Sequence, residues 1–180
     1  VNEEILKRMA ILREGIYVSV DSDPSEVLHE LNERREEIAT LEQKIEMFKE
    51  YQRLFNMKVK EWSNLTEVKN QFQLRFDIWK SLDDFNKKIE YWDSSEIQKL
   101  DVLEIDKEVT SLFQKSHKLA RQSKDEVTEL LKASVQVWKE RMPVVILLGN
   151  KDMRPWHWEA IFKGMGRSDI GKGTAFTLKQ

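Results

Sequence analysis

The feature that most constrains the fold of this chain is an unbroken apolar repeat between Asp23 and about Phe55. Asp23 followed by Pro24 is typical of a helix start, with the aspartate as N-cap, the proline at the first helical position and Glu26 in the first turn. No proline or glycine interrupts the segment after Pro24, and about 31 helical residues at 1.5 Å each predict a rod about 46 Å long. Its apolar positions follow the heptad a and d spacing of coiled coils and long bundles. They are Leu31, Ile38, Leu41, Ile45, Phe48 and Phe55.

A second long helix is predicted from a cap at Asn64 or Thr66 to about Trp92. Its apolar residues are spaced by three or four, as on one face of a helix. Aromatic side chains dominate that face, which favours a wide, buried core face over a ligand cleft. The face comprises Val68, Phe72, Phe76, Trp79, Leu82, Phe85, Ile89 and Trp92.

Two further helices are predicted in the second half of the chain. The third covers residues from about 101 to 121, with His117 as a partly exposed residue that has no partner at ligand spacing. The fourth begins at Ser123, with Glu126 completing a capping box. Pro143 is expected to end it, because an interior proline removes a hydrogen bond and clashes with the preceding turn. The predicted buried side contains Val127, Leu130, Leu131, Ser134, Val137, Trp138 and Met142.

These patterns predict an all-α fold, an elongated bundle of long antiparallel helices with a short Trp-rich helix near the C-terminal end. Residues 1–23 are expected to form a short helix stopped by Gly15 and then a strand-like or extended connector at 16–20. The bundle covers 24–142, a proline-started turn and short helix cover 143–166, and a glycine-rich connector covers 167–180. Val1 is not methionine, and the final residues begin a new apolar pattern, so we expect a piece of a longer chain.

Composition excludes several classes of function. Charged residues make up 34% of the chain and the net charge is −2, so there is no electrostatic case for binding nucleic acid or an acidic membrane surface. The chain has no cysteine, which excludes disulfides, thiolate catalysis and zinc–thiolate sites and fits the cytoplasm. No apolar run reaches the roughly 20 residues needed to span a bilayer.

Two motifs resemble nucleotide sites but fail on their geometry. After the apolar run, Asn150-Lys151-Asp152-Met153 places the aspartate third, whereas the guanine-binding motif of GTPases requires it fourth. Residues 166–174 have the Gly-x4-Gly-Lys spacing of a phosphate loop, but they follow a predicted helix end rather than a buried strand. We therefore predict no catalytic, cofactor-binding or metal residues in this chain, and His157 has no partner for either chemistry.

The stretch from Met142 to Gly166 is predicted to form a turn and a short helix. Asn150 or Asp152 is the expected N-cap, Pro155 lies early in the helix, and Ile161 lies on its apolar side. Trp156 and Trp158 cannot both face the core, since residues i and i+2 point about 200° apart on a helix. Trp158 is the predicted core residue, which leaves Trp156 as a candidate surface contact.

This stretch resembles the linker region of dynein heavy chains. The matching residues are Met142-Pro143, the apolar run 144–148, Asn150, Met153-Arg154, His157-Trp158 and Ile161, and their spacing agrees without gaps. Upstream, residues 62–72, 76–82 and 91–92 are also similar to that family. The stretch from Asn150 to Trp158 resembles axonemal dyneins more than cytoplasmic dyneins. The sequence departs from the family pattern at Trp156, where relatives carry an arginine.

The resemblance implies a mechanical role. The dynein linker is a helical rod over the AAA+ motor ring, and it bends and straightens as ATP with magnesium turns over in that ring. This chain would itself have no cofactor and would contact the rest of the heavy chain, including ring and tail. Microtubules would be reached only through the parent motor, and the cytoskeleton of a cilium or flagellum, the axoneme, is the implied location. The alternatives are a spectrin-like or coiled-coil scaffold and, third, a GTPase or nucleotide kinase fragment.

The candidate contact residues of such a mechanical segment are aromatic or lie in the motif stretch. They are Asn150, Arg154, Pro155, Trp156, His157, Trp158, Ile161, Trp79, Trp92 and Trp138.

Overall fold

The computed structural model describes residues 2–166 and 177–178. Within them the chain forms six α-helices and two 3₁₀ turns, and the extended structure is limited to an isolated bridge between Glu96 and Thr177. The all-α prediction is therefore confirmed. The helices are α1 Asn2–Ile11, α2 Pro24–Leu54, α3 Ser63–Ser94, α4 Val102–Gln122, α5 Glu126–Leu148 and α6 Pro155–Gly164, and the 3₁₀ turns are Gly15–Tyr17 and Ile97–Lys99.

The N-terminal signal of α2 is confirmed. Asp23 is the N-cap, and its Oδ1 accepts hydrogen bonds from the backbone N–H groups of Ser25 and Glu26 at 2.9 and 3.0 Å. Pro24 occupies the first helical position, where its missing N–H costs nothing. The helix then continues to Leu54, one residue short of the predicted end.

The heptad seam of α2 is covered by α3 along part of its length. Arg35 lies over the rings of Phe72 and Phe76 at 5.6 and 4.4 Å, and Glu42 pairs with Lys69 at 2.7 Å. As the residue number increases along α2, the residue number of its contacts in α3 decreases. The two helices are therefore antiparallel, as predicted. The covered part of the seam is buried, and it consists of Leu31, Ile38, Leu41 and Ile45.

The predicted extended connector at residues 16–20 is wrong. Gly15 has a φ of +63° and opens a 3₁₀ turn to Tyr17 instead. Tyr17 is buried, and its carbonyl accepts a hydrogen bond from Trp79 Nε1 at 3.0 Å. The alternating residues could not pair as a strand because no other strand lies among the described residues, and contacts with α3 decide the conformation.

The predicted helix end at Pro143 is also wrong, because α5 continues through the proline to Leu148. Pro143 supplies no N–H to the Lys139 carbonyl, at a cost of roughly 3 kcal/mol in a helix interior. Met142 and Val145 on either side of it are buried, and a helix that continues keeps both in the core. The apolar run 144–148 is therefore helical, which excludes the buried strand that a GTPase-type motif requires.

Two smaller expectations also need correction. Helix α3 begins at Ser63, so Asn64 and Thr66 lie in its first turn rather than at its cap. On α5, Leu130 and Val137 are exposed, because their neighbours in sequence occupy the inner face. The buried positions of that helix are Val127, Thr128, Leu131, Val135, Trp138, Met142 and Val145.

The chain divides into two compact units. The first consists of Val1–Asp83 and Lys118–Leu131, and the second of Asp84–His117 and Lys132–Gln180. The largest fully buried side chains of the first unit include Trp79, Leu31 and Ile78. In the second unit they include Phe85, Ile97 and Met142. Each unit thus has apolar side chains of its own in its interior, while the predicted four-segment division remains a prediction.

Candidate functional site

The motif stretch forms a packed joint in the second unit. Ile97, Trp158 and Phe162 are buried together and define what we call the joint cluster. The rings of Trp158 and Phe162 stack with centroids 5.8 Å apart. Partly buried apolar residues pack around the cluster, namely Leu148, Met153, Ile161 and Leu178. These residues come from the 3₁₀ turn Ile97–Lys99, the end of α5, the loop after it, α6 and Leu178, so the cluster sets where α6 lies relative to the end of α5.

The start of α6 differs from the expected cap. Neither Asn150 nor Asp152 is the N-cap, since the helix begins at Pro155 and Arg154 is the preceding residue. The Asn150 side chain instead accepts the N–H of Asp152 at 2.9 Å, closing the turn after α5. His157 Nδ1 accepts the backbone N–H of Arg154 at 3.0 Å. His157 therefore helps to cap the start of α6. The sequence showed no metal-ligating or catalytic partner for His157, but it did not reveal this capping role.

The two tryptophans of the stretch lie on opposite sides of α6. Trp158 is 5% exposed and belongs to the joint cluster, whereas Trp156 is 63% exposed. This arrangement follows from their spacing, which places them about 200° apart. The residue at which the chain departs from the dynein pattern is thus on the surface, and a contact through Trp156 remains a prediction.

Gly149 is where α5 gives way to the loop, and the backbone there lies very close to α4. A Cβ atom added to Gly149 would lie 2.3 Å from Cγ1 and 2.9 Å from Cγ2 of Val102. These distances are far inside van der Waals contact, so glycine is required at this position for steric reasons. Gly149 directly precedes the segment 150–153 that resembles a guanine-binding motif. The sequence did not show that the side chain of Val102 fills the space beside Gly149.

We expect Gly149→Ala to destabilise the chain by about 1–3 kcal/mol, because the added methyl group overpacks the contact with Val102. Urea unfolding followed by circular dichroism measures the change. The double variant Gly149→Ala with Val102→Ala should lose less unfolding free energy than the two single variants together, because truncating Val102 makes room for the added methyl group. Gly164→Ala is the matched control, since a Cβ there meets no atom within 4 Å. A loss for Gly164→Ala as large as that for Gly149→Ala would contradict the steric explanation.

The other candidate tryptophans of the second unit contact each other. Trp92 and Trp138 lie with ring centroids 5.1 Å apart, and Phe85 meets Trp92 edge-on at 6.3 Å. Lys139, next to Trp138, donates to Asp106 and Thr110 of α4 at 3.0 and 2.6 Å. Aromatic pairs in these geometries add stabilisation beyond their buried area. The aromatic face is thus core rather than a ligand cleft, as predicted.

Trp79 lies in the first unit, whereas the other candidate residues lie in the second. Trp79 is fully buried, and Arg75, four residues before it on α3, belongs to a buried charged pair that was not predicted from the sequence. Arg75 Nε donates to the Leu12 carbonyl at 3.0 Å, and Arg75 Nη1 contacts Asp125 Oδ2 at 2.5 Å. The side chains of Arg75 and Asp125 are only 7% and 13% exposed. The sequence did carry a signal of this pair, because Arg75 is a charged residue on the aromatic face of α3, three positions after Phe72.

Asp125, rather than Ser123, caps α5. Its Oδ1 accepts the N–H of Thr128 at 3.0 Å and the Thr128 hydroxyl at 2.9 Å, while the Ser123 hydroxyl donates to Oδ2. Burial opposes the charged form of Asp125, but the hydrogen bonds from Ser123, Thr128 and Arg75 outweigh it and lower the pKa of Asp125. One carboxylate therefore caps a helix and neutralises a buried arginine.

The lowered pKa of Asp125 predicts a pH dependence of stability. Because the folded-state pKa lies below the unfolded value, the ionised carboxylate stabilises the fold above about pH 4. That contribution is lost as the pH falls through the unfolded and then the folded pKa. We expect Asp125→Asn to lower the unfolding free energy at neutral pH and to flatten its dependence on pH in the acid range. Equal acid slopes for the two proteins in urea titrations would contradict this assignment.

The described residues at the candidate positions take part in packing, hydrogen bonds and ion pairs. No group of three or more histidine, aspartate or glutamate side chains among them could hold a metal ion. No described helix is long and apolar enough to cross a membrane. Of the residues resembling a phosphate loop, only Gly166 is described, and the others lie outside the described range. The buried candidate residues of the joint cluster and the Trp92–Trp138 pair pack inside the second unit. That any candidate residue contacts another chain remains a prediction.

Comparison with known proteins points to one protein family. The family described as "Dynein heavy chain, N-terminal region 2" matches residues 65–180, which include the joint cluster. Dynein axonemal heavy chain 1 of Homo sapiens is 24% identical over 165 residues, which is 88% of this chain and 4% of the relative. Dynein axonemal heavy chain 6 of Homo sapiens is 26% identical over 164 residues, 91% of this chain and 4% of the relative. The chain thus spans about 4% of the length of these curated relatives.

Proposed function

This chain belongs to the dynein heavy chain family, and on that premise we propose that it is a non-catalytic mechanical segment of the linker region. In this role it couples ATP-driven changes in a AAA+ motor ring to movement along microtubules. ATP with magnesium is bound by the ring, and this segment has no cofactor of its own. Its partners are the ring, the tail and the rest of the heavy chain, and its location is the axoneme, since the curated relatives are named as axonemal.

The observation that carries the proposal is the joint cluster inside the matched family region. A segment that transmits force needs elements that keep their relative positions, and close packing provides that stiffness. Trp158 and Phe162 hold α6 against Ile97. At the end of α5, Gly149 packs so closely on Val102 that there is no room for a larger residue. A spectrin-like scaffold explains the long helices equally well, but it does not explain the motif around His157-Trp158 or the family match.

The proposal is tested in the full-length heavy chain. We expect Trp158→Ala to slow the gliding of microtubules over the immobilised motor while ATP hydrolysis continues, because the ring is intact and only its coupling is weakened. Microtubule gliding velocity and microtubule-stimulated ATPase rate are measured on the same preparation. Tyr91→Ala is the control, since Tyr91 is 63% exposed and lies outside the joint.

Two results would contradict the proposal. Proportional loss of gliding and ATPase would place Trp158 in support of the ring chemistry rather than of coupling. Hydrolysis of ATP by the 180-residue chain alone would show that this segment is catalytic.

A further inference from the structure

A groove with a volume of about 320 Å³ lies beside α5 in the second unit. Much of its lining is apolar, and Val144, one of the lining residues, is 57% exposed. The lining also includes charges of both signs, from Asp93, Glu140 and Arg141. A bound segment would therefore gain apolar contact here rather than attraction to a net charge. The remaining lining residues are Trp138, Val145, Leu148 and Leu178.

Leu178 shows that the chain itself reaches this groove. It lines the groove and packs, like Leu148, against the joint cluster. The residue before it, Thr177, forms an antiparallel bridge with Glu96. In antiparallel pairing, the residues after Thr177 run beside the residues before Glu96. Those residues lead back to Asp93, which also lines the groove, so the chain after Leu178 heads along the groove.

The contact between α3 and α5 shows what this direction means along α5. Trp92, near the end of α3, packs on Trp138 with ring centroids 5.1 Å apart, whereas Leu148 lies at the joint cluster. A chain that runs back along the end of α3 therefore passes from the Leu148 end of the groove to the Trp138 end. The two ends are ten residues apart on α5, or about 15 Å. About five extended residues span that distance, so the chain reaches the far end a few positions after Gln180.

We propose that this groove holds the first residues of the heavy chain after Gln180, with at least one apolar side chain against Val144. The family match covers every lining residue, and the chain spans about 4% of the length of its curated relatives. A segment joined to Leu178 has an effective concentration that a free partner must overcome. This assignment depends on the family membership and not on coupling to the ring, so it and the gliding assay can fail independently.

Photocrosslinking in the full-length heavy chain tests the assignment. The photoreactive amino acid p-benzoylphenylalanine replaces Val144, the purified protein is irradiated, and mass spectrometry identifies the crosslinked peptides. We expect the main crosslink to fall within about ten residues after Gln180. The matched control carries the same amino acid in place of Val137, a valine one heptad earlier on α5 that is 43% exposed but does not line the groove. The control should crosslink elsewhere or not at all.

Hydrogen exchange of the same full-length protein gives an independent measurement. Val144→Ser should raise the exchange rate of the amides after Gln180 by roughly fivefold to tenfold, because it removes an apolar contact that holds them. Val137→Ser should leave that rate unchanged. The α5 amides should stay protected in both variants, since neither valine belongs to the buried core of the described chain.

Several results would overturn the proposal. A main crosslink from position 144 to a distant part of the heavy chain, to residues 167–176, to a second copy or to another protein would assign the groove to that occupant instead. Absence of any crosslink would show that the groove is open to solvent. Unchanged exchange after Gln180 in Val144→Ser, or an increase equal to that in Val137→Ser, would show that Val144 does not hold this segment.

Discussion

Trp158→Ala is expected to lower the unfolding free energy of the chain by about 3–5 kcal/mol, the range for deleting a buried tryptophan. Trp158 is 5% exposed, stacks on Phe162 and packs near Ile97, so the substitution leaves a cavity in the joint cluster. Because α6 has only 10 residues, it has little intrinsic stability and depends on this packing. Urea unfolding and hydrogen exchange of the α6 amides measure the global and the local loss.

Trp156→Ala is the matched control for this prediction. The two residues have the same chemistry and lie on the same helix, but Trp156 is 63% exposed. Its replacement should change the unfolding free energy by no more than about 0.5 kcal/mol. Trp158→Phe should lose less than Trp158→Ala, because a ring remains to pack on Phe162. A loss below about 0.5 kcal/mol for Trp158→Ala would show that the cluster does not hold α6 in place.

Arg75→Met is the second large effect, with an expected loss of about 3 kcal/mol. The substitution keeps much of the side-chain volume but removes the cation beside Asp125 and the donor to the Leu12 carbonyl. Asp125 would then be a buried carboxylate with only the Ser123 and Thr128 donors left. An uncompensated buried charge costs more than a lost surface pair, which is why the expected loss is large. Equilibrium urea unfolding at neutral pH measures it.

The matched control is Lys69→Met, which breaks the pair with Glu42. Those side chains are 47% and 42% exposed, so the loss should stay below about 1 kcal/mol. The double variant Arg75→Met with Asp125→Asn should lose less than the two single variants together, since both charges are then gone. Strict additivity of the two changes would show that the pair does not act as a unit.

Much of the fold followed from local patterns. The Asp23-Pro24 start and the heptad spacing from Leu31 to Ile45 placed α2 within one residue of its observed end. The spacing of Trp156 and Trp158 was sufficient to show that only one of them faces inward. These features depend on residues within one or two helical turns of each other, and helix geometry relates such residues without knowledge of the rest of the chain.

The incorrect predictions concern residues whose environment comes from distant parts of the chain. Pro143 was expected to end a helix because local propensity disfavours an interior proline, but burial of Met142 and Val145 outweighs that local cost. Ser123 was expected to cap α5, but Asp125 caps it, and the other oxygen of that carboxylate pairs with Arg75 of α3, 50 residues away. The caps expected at Asn150 and Asp152 were displaced because Pro155 and His157 set the start of α6.

The sequence by itself thus determined the helices, their period and most of their boundaries, together with the motif that places the chain among dynein heavy chains. Only the tertiary structure decided which faces are covered and which charges are buried. Arg75 meets Leu12 and Asp125 across separations of 63 and 50 residues, and Gly149 meets Val102 in the same non-local way. Likewise, Phe48 and Phe55 continue the α2 seam in sequence, yet they are exposed because no described helix extends over them. Burial is a property of what the chain folds against, and a local repeat does not contain that information.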